Sequence, residues 1–299
     1  MKVLITGSNG LLGQKLVQLL NKQPNVQLIA TAIGPNRLPE KEGYWYESMD
    51  ITNSMEVQAI FEKHRPSHVI HTAAMTNVDQ CEEDPSGCEK LNVEAVRILL
   101  AACKVQHSFF CHLSTDFIFD GEGGPYNEEA AANPISIYGE SKWKAEQLVM
   151  ESGLSWAIAR TVLVYGIVSD MSRTNIILWV KKSLEEGQEI KVVTDQFRTP
   201  TLAEDLAMGC WLIIQKEAKG IFNISGKDFL TPYEMALKTA DFFHLNKSLI
   251  QKADSSTFTQ KAKRPPRTGF IIDKAIDQLG YKPHSFEEGI ALVASQVGS

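Results

Sequence analysis

The chain has 299 residues, 43% hydrophobic and 22% charged, with a formal net charge of −6. That balance excludes a disordered polymer and is enough for one large core with a smaller companion. An acidic chain with only short basic stretches excludes an extended nucleic-acid or anionic-lipid face. No apolar run approaches the roughly 20 residues that a membrane helix needs.

The opening MKVLITG reads as a buried strand entering a glycine loop. It lacks the continuous apolar region and small-residue cleavage site of a signal peptide, so a soluble cytoplasmic protein is expected. Residues 2–6 form the first predicted strand and 11–22 the first helix. Strands at 26–31 and 44–50 follow, then a helix over 53–64 opened by Asn53 and Glu56 in capping-box spacing. A fourth strand at 68–71 leads to a long helix over 86–105, a fifth strand at 109–114, a helix over 136–151 and a sixth strand at 156–161. This alternation predicts an α/β fold, a doubly wound parallel sheet of Rossmann type, over residues 1–166. Beyond Gly166 the rhythm breaks: helix 176–186, strand 190–193, helix 203–216, strand 220–224, helix 232–244, a basic Pro-rich stretch at 261–267 and a terminal helix. Residues 167–299 are therefore expected to form a smaller C-terminal α/β substrate-binding cap, with 190–216 a candidate to return to the first domain.

The five cysteines (Cys81, Cys88, Cys103, Cys111 and Cys210) are odd in number and contain no CxxC. They predict core residues rather than a disulfide framework or a zinc site, and no metal is expected.

Gly7, Gly10 and Gly13 stand in GSNGLLG, between the first strand and the first helix. Glycines there let the backbone approach a pyrophosphate while the helix N-terminus faces the anion. Asn9, Leu11 and Ile51 complete the expected cofactor set along this edge. The second strand ends Ala30-Thr31-Ala32-Ile33-Gly34 without the acid that would hold a ribose 2′-hydroxyl, and Arg37 lies just beyond. Arg37 either meets a 2′-phosphate or is a solvated loop residue. NADP(H) is favoured, and NAD(H) stays open. Asp50 either binds the adenine amino group or starts a turn before Thr52 and Asn53. Ala73 and Ala74 end the fourth strand, where small side chains either admit a cofactor or pack the core.

Tyr138 and Lys142 form Y-x-x-x-K on one face of a predicted helix. The preceding strand ends His112-Leu113-Ser114-Thr115, and ligands of parallel sheets sit beyond such strand ends. With GSNGLLG, AAMTNVDQCEEDP from Ala73, LNVEAVRILLAAC from Leu91, STDFIFDG from Ser114, YGESK, RTVLVYG from Arg160 and DQFRTPTLAEDLA from Asp195, the chain resembles the extended short-chain dehydrogenase/reductases. Among these it is similar, over almost its whole length, to the dTDP-4-dehydrorhamnose reductases.

The resemblance implies a Thr115–Tyr138–Lys142 triad. In it Tyr138 donates a proton, Lys142 lowers the phenol pKa, and Thr115 bonds the substrate oxygen; Tyr138 and Lys142 also contact the cofactor, Lys142 through the nicotinamide ribose. It implies that Asn92 organises the cofactor site and that Val78 and Asp116 face the substrate, with Asp116 capping a turn as the alternative. Two positions depart from the pattern: Leu163 stands where these reductases usually carry tryptophan, and Arg198 where they carry glycine. Arg198 is expected either to bind a nucleotide-sugar diphosphate or to pair with an acid such as Asp205. The implied activity is NADPH-dependent reduction of a nucleotide-linked 4-ketosugar. The alternatives are a non-catalytic NADP-binding regulatory subunit, similar to the methionine adenosyltransferase β subunit, and a nucleotide-sugar epimerase. A nucleotide sugar is the expected partner, a homodimer is compatible with the sequence, and neither nucleic acid nor membrane is expected.

Overall fold

The computed structural model describes residues 1–169 and 175–297. Its first half runs β1 (Lys2–Thr6), α1 (Leu11–Leu20), β2 (Gln27–Ala32), β3 (Trp45–Ser48), α2 (Ser54–His64), β4 (His68–His71), α3 (Val78–Glu83), α4 (Pro85–Glu89), α5 (Ala95–Gln106), β5 (Phe109–Thr115), α6 (Ile137–Met150) and β6 (Trp156–Thr161). The second half adds β7 (Val164–Tyr165), α7 (Ile176–Glu185), β8 (Ile190–Val193), β9 (Thr201–Leu202), α8 (Ala203–Gln215), β10 (Gly220–Asn223), α9 (Pro232–Phe242), β11 (Ile250–Ala253) and α10 (Phe286–Val297).

Seven strands form one parallel sheet in the order β10-β6-β5-β4-β1-β2-β3. Its order reverses between β1 and β4, the switch point where such sheets bind ligands. Both faces are covered, which is why the strands read as continuous apolar runs. Val3 and Ile5 join α1 and α8 in one core, while Leu4 packs with α2, α5 and α6 in the other. The alternation of neighbouring side chains across a strand divides them in this way.

The 190–216 stretch does not return as a unit. Residues Ile190–Val193 pair with β11 in a separate two-stranded sheet, whereas α8 packs on α1 and β10 joins the main sheet beside β6. The reason is side-chain burial: Leu206, Cys210, Ile213 and Ile214 complete the core left open over α1.

The long helix expected over 86–105 is divided. Asp84 caps α4 by accepting from Gly87 N at 2.9 Å, and residues Lys90–Glu94 form a π-helical turn before α5. A widened turn re-aims one side chain without ending the helix, and here it carries Asn92. A separate short helix, α3, capped by Asn77, was not evident in the sequence pattern. No helix among the described residues is long and apolar enough to cross a membrane.

Candidate active site

The glycine loop packs as a cradle against the end of β4. Gly7 has φ +68°, and a Cβ there would lie 2.8 Å from Ala73 N. A Cβ on Gly13 would sit 2.2 Å from Gly7 O, so only glycine lets α1 approach its own loop. Gly10 caps α1 without a side-chain hydrogen bond, and the first turn holds no acid. The helix therefore presents its N-terminal N–H groups and positive dipole end beside the switch point. The buried Ser8 hydroxyl, next to them, has no partner among the described residues. These features fit a dinucleotide pyrophosphate.

Asn9 points sideways from this loop. Its Nδ2 donates to Pro35 O at 2.9 Å and its Oδ1 accepts from Arg37 N at 3.0 Å, which ties the turn after β2 to the cradle. Arg37 is thereby held at the cradle's edge with its side chain exposed. Asp50 takes the turn geometry: Oδ1 accepts from Thr52 N and from the Thr52 hydroxyl, both at 2.8 Å. The Ile51 side chain packs in the core with Met49 and Val57. Ala73 and Ala74 are half-buried at the end of β4, and Leu11 opens α1.

Asn92 is buried and its amide is saturated. Oδ1 accepts from Met75 N at 2.8 Å, while Nδ2 donates to Met75 O and Ser141 Oγ, both at 3.0 Å. It therefore ties the loop after β4 to α6.

Thr115 ends β5, and Tyr138 and Lys142 lie on α6 packed against it, all less than a tenth exposed. Ser136 caps α6 through Gly139 N at 3.1 Å. Gly139 allows the close approach, since a Cβ there would lie 2.2 Å from Phe117 O. Helix α6 thus rests on the 116–118 turn, with the Tyr138 ring edge-on to Phe117 at 5.7 Å, next in the chain but one to Thr115. Glu146 and Arg160 lock α6 to β6 through a buried bidentate pair at 3.0 and 2.7 Å.

The electrostatics differ from the expectation. Burial pushes the Tyr138 phenol above its ordinary value, with the Thr115 contact opposing it. Lys142 does not lower it here, because its amine turns the other way, to Leu113 O at 2.6 Å and His112 Nε2 at 3.2 Å. Burial brings Lys142 itself down to about 8, opposed by Glu146.

Arg198 pairs with an acid, but the acid is Asp116 and not Asp205, which instead bonds His284 Nδ1 at 2.7 Å. The buried Arg198 guanidinium donates to Phe197 O, Pro266 O and Pro265 O at 2.8, 3.1 and 2.7 Å, and Nε lies 3.6 Å from Asp116 Oδ2. Carbonyls take three of its five N–H donors. Asp116 is likewise enclosed: Oδ1 accepts from Thr115 at 3.1 Å and Oδ2 from the Thr268 hydroxyl. Its position is an inward joint between the β5 end and the cap. Val78 packs with Cys81, Cys88 and Tyr138. Leu163 is exposed with φ +36° just past β6, whose Thr161 is in register with Thr115.

His71, His112, Ser141 and Thr268 escaped the sequence reading. Nothing in their spacing distinguishes them from ordinary strand, helix and loop residues. All five cysteines are buried and free, and no metal-holding cluster occurs among the described residues.

A family profile described as "RmlD substrate binding domain" matches residues 1–298. The chain is 31% identical over 284 residues to methionine adenosyltransferase 2 subunit beta of Bos taurus, covering 93% of this chain and 82% of that one. Its fold superposes with TM-score 0.87 on a dTDP-4-dehydrorhamnose reductase of Clostridium acetobutylicum, 28% identical over 100% of both chains. A Bacillus anthracis dTDP-4-dehydrorhamnose reductase in complex with NADP gives TM-score 0.84 at 27% identity, over 99% of both. The chain therefore belongs to the RmlD family, and it is an NAD(P)-dependent oxidoreductase of the extended short-chain dehydrogenase/reductase type.

Proposed function

We propose that the protein reduces the ketone of a nucleotide-linked 4-ketosugar with NADPH, with dTDP-4-dehydrorhamnose as the favoured substrate. The observation that carries this reading is the buried Tyr138 held against the turn after β5 by the close approach of Gly139 to Phe117, in the same molecule as the glycine cradle at the end of β1. NADPH, when bound, supplies the hydride; Gly7, Gly10, Gly13 and the start of α1 would hold its pyrophosphate, and Arg37 its 2′-phosphate.

Reduction needs a proton at the carbonyl oxygen. Tyr138, kept as a neutral phenol by burial, is the donor, and Thr115 orients it. The Lys142 ammonium, one turn along the same helix, is directed to Leu113 O and His112 Nε2, and its role in this reading is to hold the cofactor beside Tyr138. Apolar Leu163, presented at the end of β6, takes the place of an aromatic sugar contact.

The test is NADPH consumption by the purified protein with dTDP-4-dehydrorhamnose. Tyr138→Phe should lower kcat by about 10²–10⁴-fold with NADPH affinity retained. A variant keeping more than half of wild-type kcat refutes the role of the phenol. Similarity to the bovine methionine adenosyltransferase subunit supports a second reading, an NADP-binding regulatory subunit. Tight NADPH binding with no turnover of any nucleotide ketosugar would favour it.

A further inference from the structure

We propose that His112, backed by His71 and Thr6, is a positioning residue that holds the Lys142 amine at the carboxyl end of β5. The inference rests on the reading of Lys142 as part of the reductase site and assigns that lysine its anchor.

The anchor is built on three adjacent strands. His71 of β4 and His112 of β5 are register partners, and their rings stack with centroids 5.4 Å apart. Behind them, Thr6 of β1 bonds His71 Nδ1 at 2.7 Å. The Thr6 hydroxyl oxygen already accepts from Thr72 N and Ala73 N at 3.2 and 3.4 Å, so its proton goes to His71 Nδ1. The polar row therefore begins at the loop that borders the cofactor cradle and ends at Lys142.

Tautomer logic fixes the last contact. A lysine ammonium only donates, so His112 Nε2, 3.2 Å from Lys142 Nζ, is the acceptor and the ring proton sits on Nδ1. His112 Nδ1 is buried without a partner among the described residues. A buried donor left unmet is costly, and a phenylalanine would fill the same space without that cost. An imidazole whose other nitrogen goes unsatisfied is better explained by the bond it makes to Lys142. Burial keeps both rings neutral: it pushes His71 down to about 3 and His112 well below its ordinary value. Neither ring then repels the ammonium. The other titratable groups around Lys142 are Glu146 and Tyr138 on its own helix, Cys88 on α4, and Arg160 of β6 through Glu146.

The consequence is a displaced lysine titration when the acceptor is lost. The bond from an ammonium to a neutral nitrogen favours the charged form, so its removal lowers the lysine pKa further. In protein labelled with 15N-lysine, the Lys142 resonance is the one lost in Lys142→Arg. It should titrate near 8 in wild type and about one unit lower in His112→Leu. His112→Gln, whose amide oxygen can accept, should restore most of the shift. NADPH affinity at pH 7.5 should fall about five- to tenfold in His112→Leu and recover in His112→Gln. Unchanged Lys142 titration in His112→Leu overturns the proposal, as does equal displacement by Leu and Gln. If His112→Leu does not fold, the imidazole 15N shifts of wild type decide: a proton on Nδ1 supports the anchor and one on Nε2 refutes it. The titration is read without sugar or cofactor. A wild type that binds no NADPH or reduces no ketosugar therefore removes the proposed function while the Lys142 measurement still judges His112.

Discussion

Replacing Arg198 by methionine tests the assignment of this residue to the cap joint rather than to a ligand. Methionine fills much of the same volume and brings no donor. Three carbonyls, of Phe197, Pro265 and Pro266, would lose their partner, and the Asp116 carboxylate would lose its cation inside the protein. Breaking a buried pair of this kind costs about 3–5 kcal/mol. Size scaling gives a chain of this length an unfolding entropy of about 0.6 kcal/mol/K, so Tm should fall by about 5–8 °C at pH 8. The loss should depend on pH. Burial raises the Asp116 pKa, and Arg198 is the largest opposing influence. Without Arg198 it rises further. A carboxyl with a raised folded pKa stabilises fully below its unfolded value, about 3.9, and loses that contribution as pH climbs through the folded value. The deficit should therefore be smaller at pH 5 than at pH 8, as read by thermal unfolding at both. Adding Asp116→Asn should recover much of it. Equal deficits at the two pH values, or a Tm within 1 °C of wild type at pH 8, would refute the buried-joint argument. A selective rise in KM for a nucleotide sugar with unchanged Tm would return Arg198 to the diphosphate role.

Arg37→Ala should erase any preference for NADPH over NADH, measured as the ratio of their dissociation constants; equal loss of both would show that Arg37 does not read the 2′-phosphate. Gly13→Ala should abolish detectable NADPH binding and lower Tm, because its Cβ would meet Gly7 O at 2.2 Å. Asn92→Ala should cost about 1–3 kcal/mol in denaturant unfolding, since the Met75 amide and carbonyl are left unmet. It should also weaken NADPH binding by loosening the loop from Ala73 to Met75.

The periodic signals were legible in the sequence because they follow from local geometry. Continuous apolar runs marked strands buried on both faces, and β6 and β8 lie where the pattern placed them. The glycine triplet and Y-x-x-x-K were readable for a similar reason: backbone approach and helix spacing restrict residue type whatever else the fold does. The cap and the polar joints were not readable in that way. Strand β10 completes the main sheet from beyond a stretch that belongs to another, which only burial over α1 decides. The π-helical turn at Asn92 serves a loop seventeen positions earlier, so no local pattern signals it. Arg198 finds its acid, Asp116, 82 positions away and two of its carbonyls 67 and 68 positions away, where its charge alone suggested a phosphate or an acid. His112 and Lys142 meet across thirty positions because β5 and α6 pack together. Side-chain type fixed what these residues are able to bond; desolvation and the neighbours supplied by packing determined which bond each one makes.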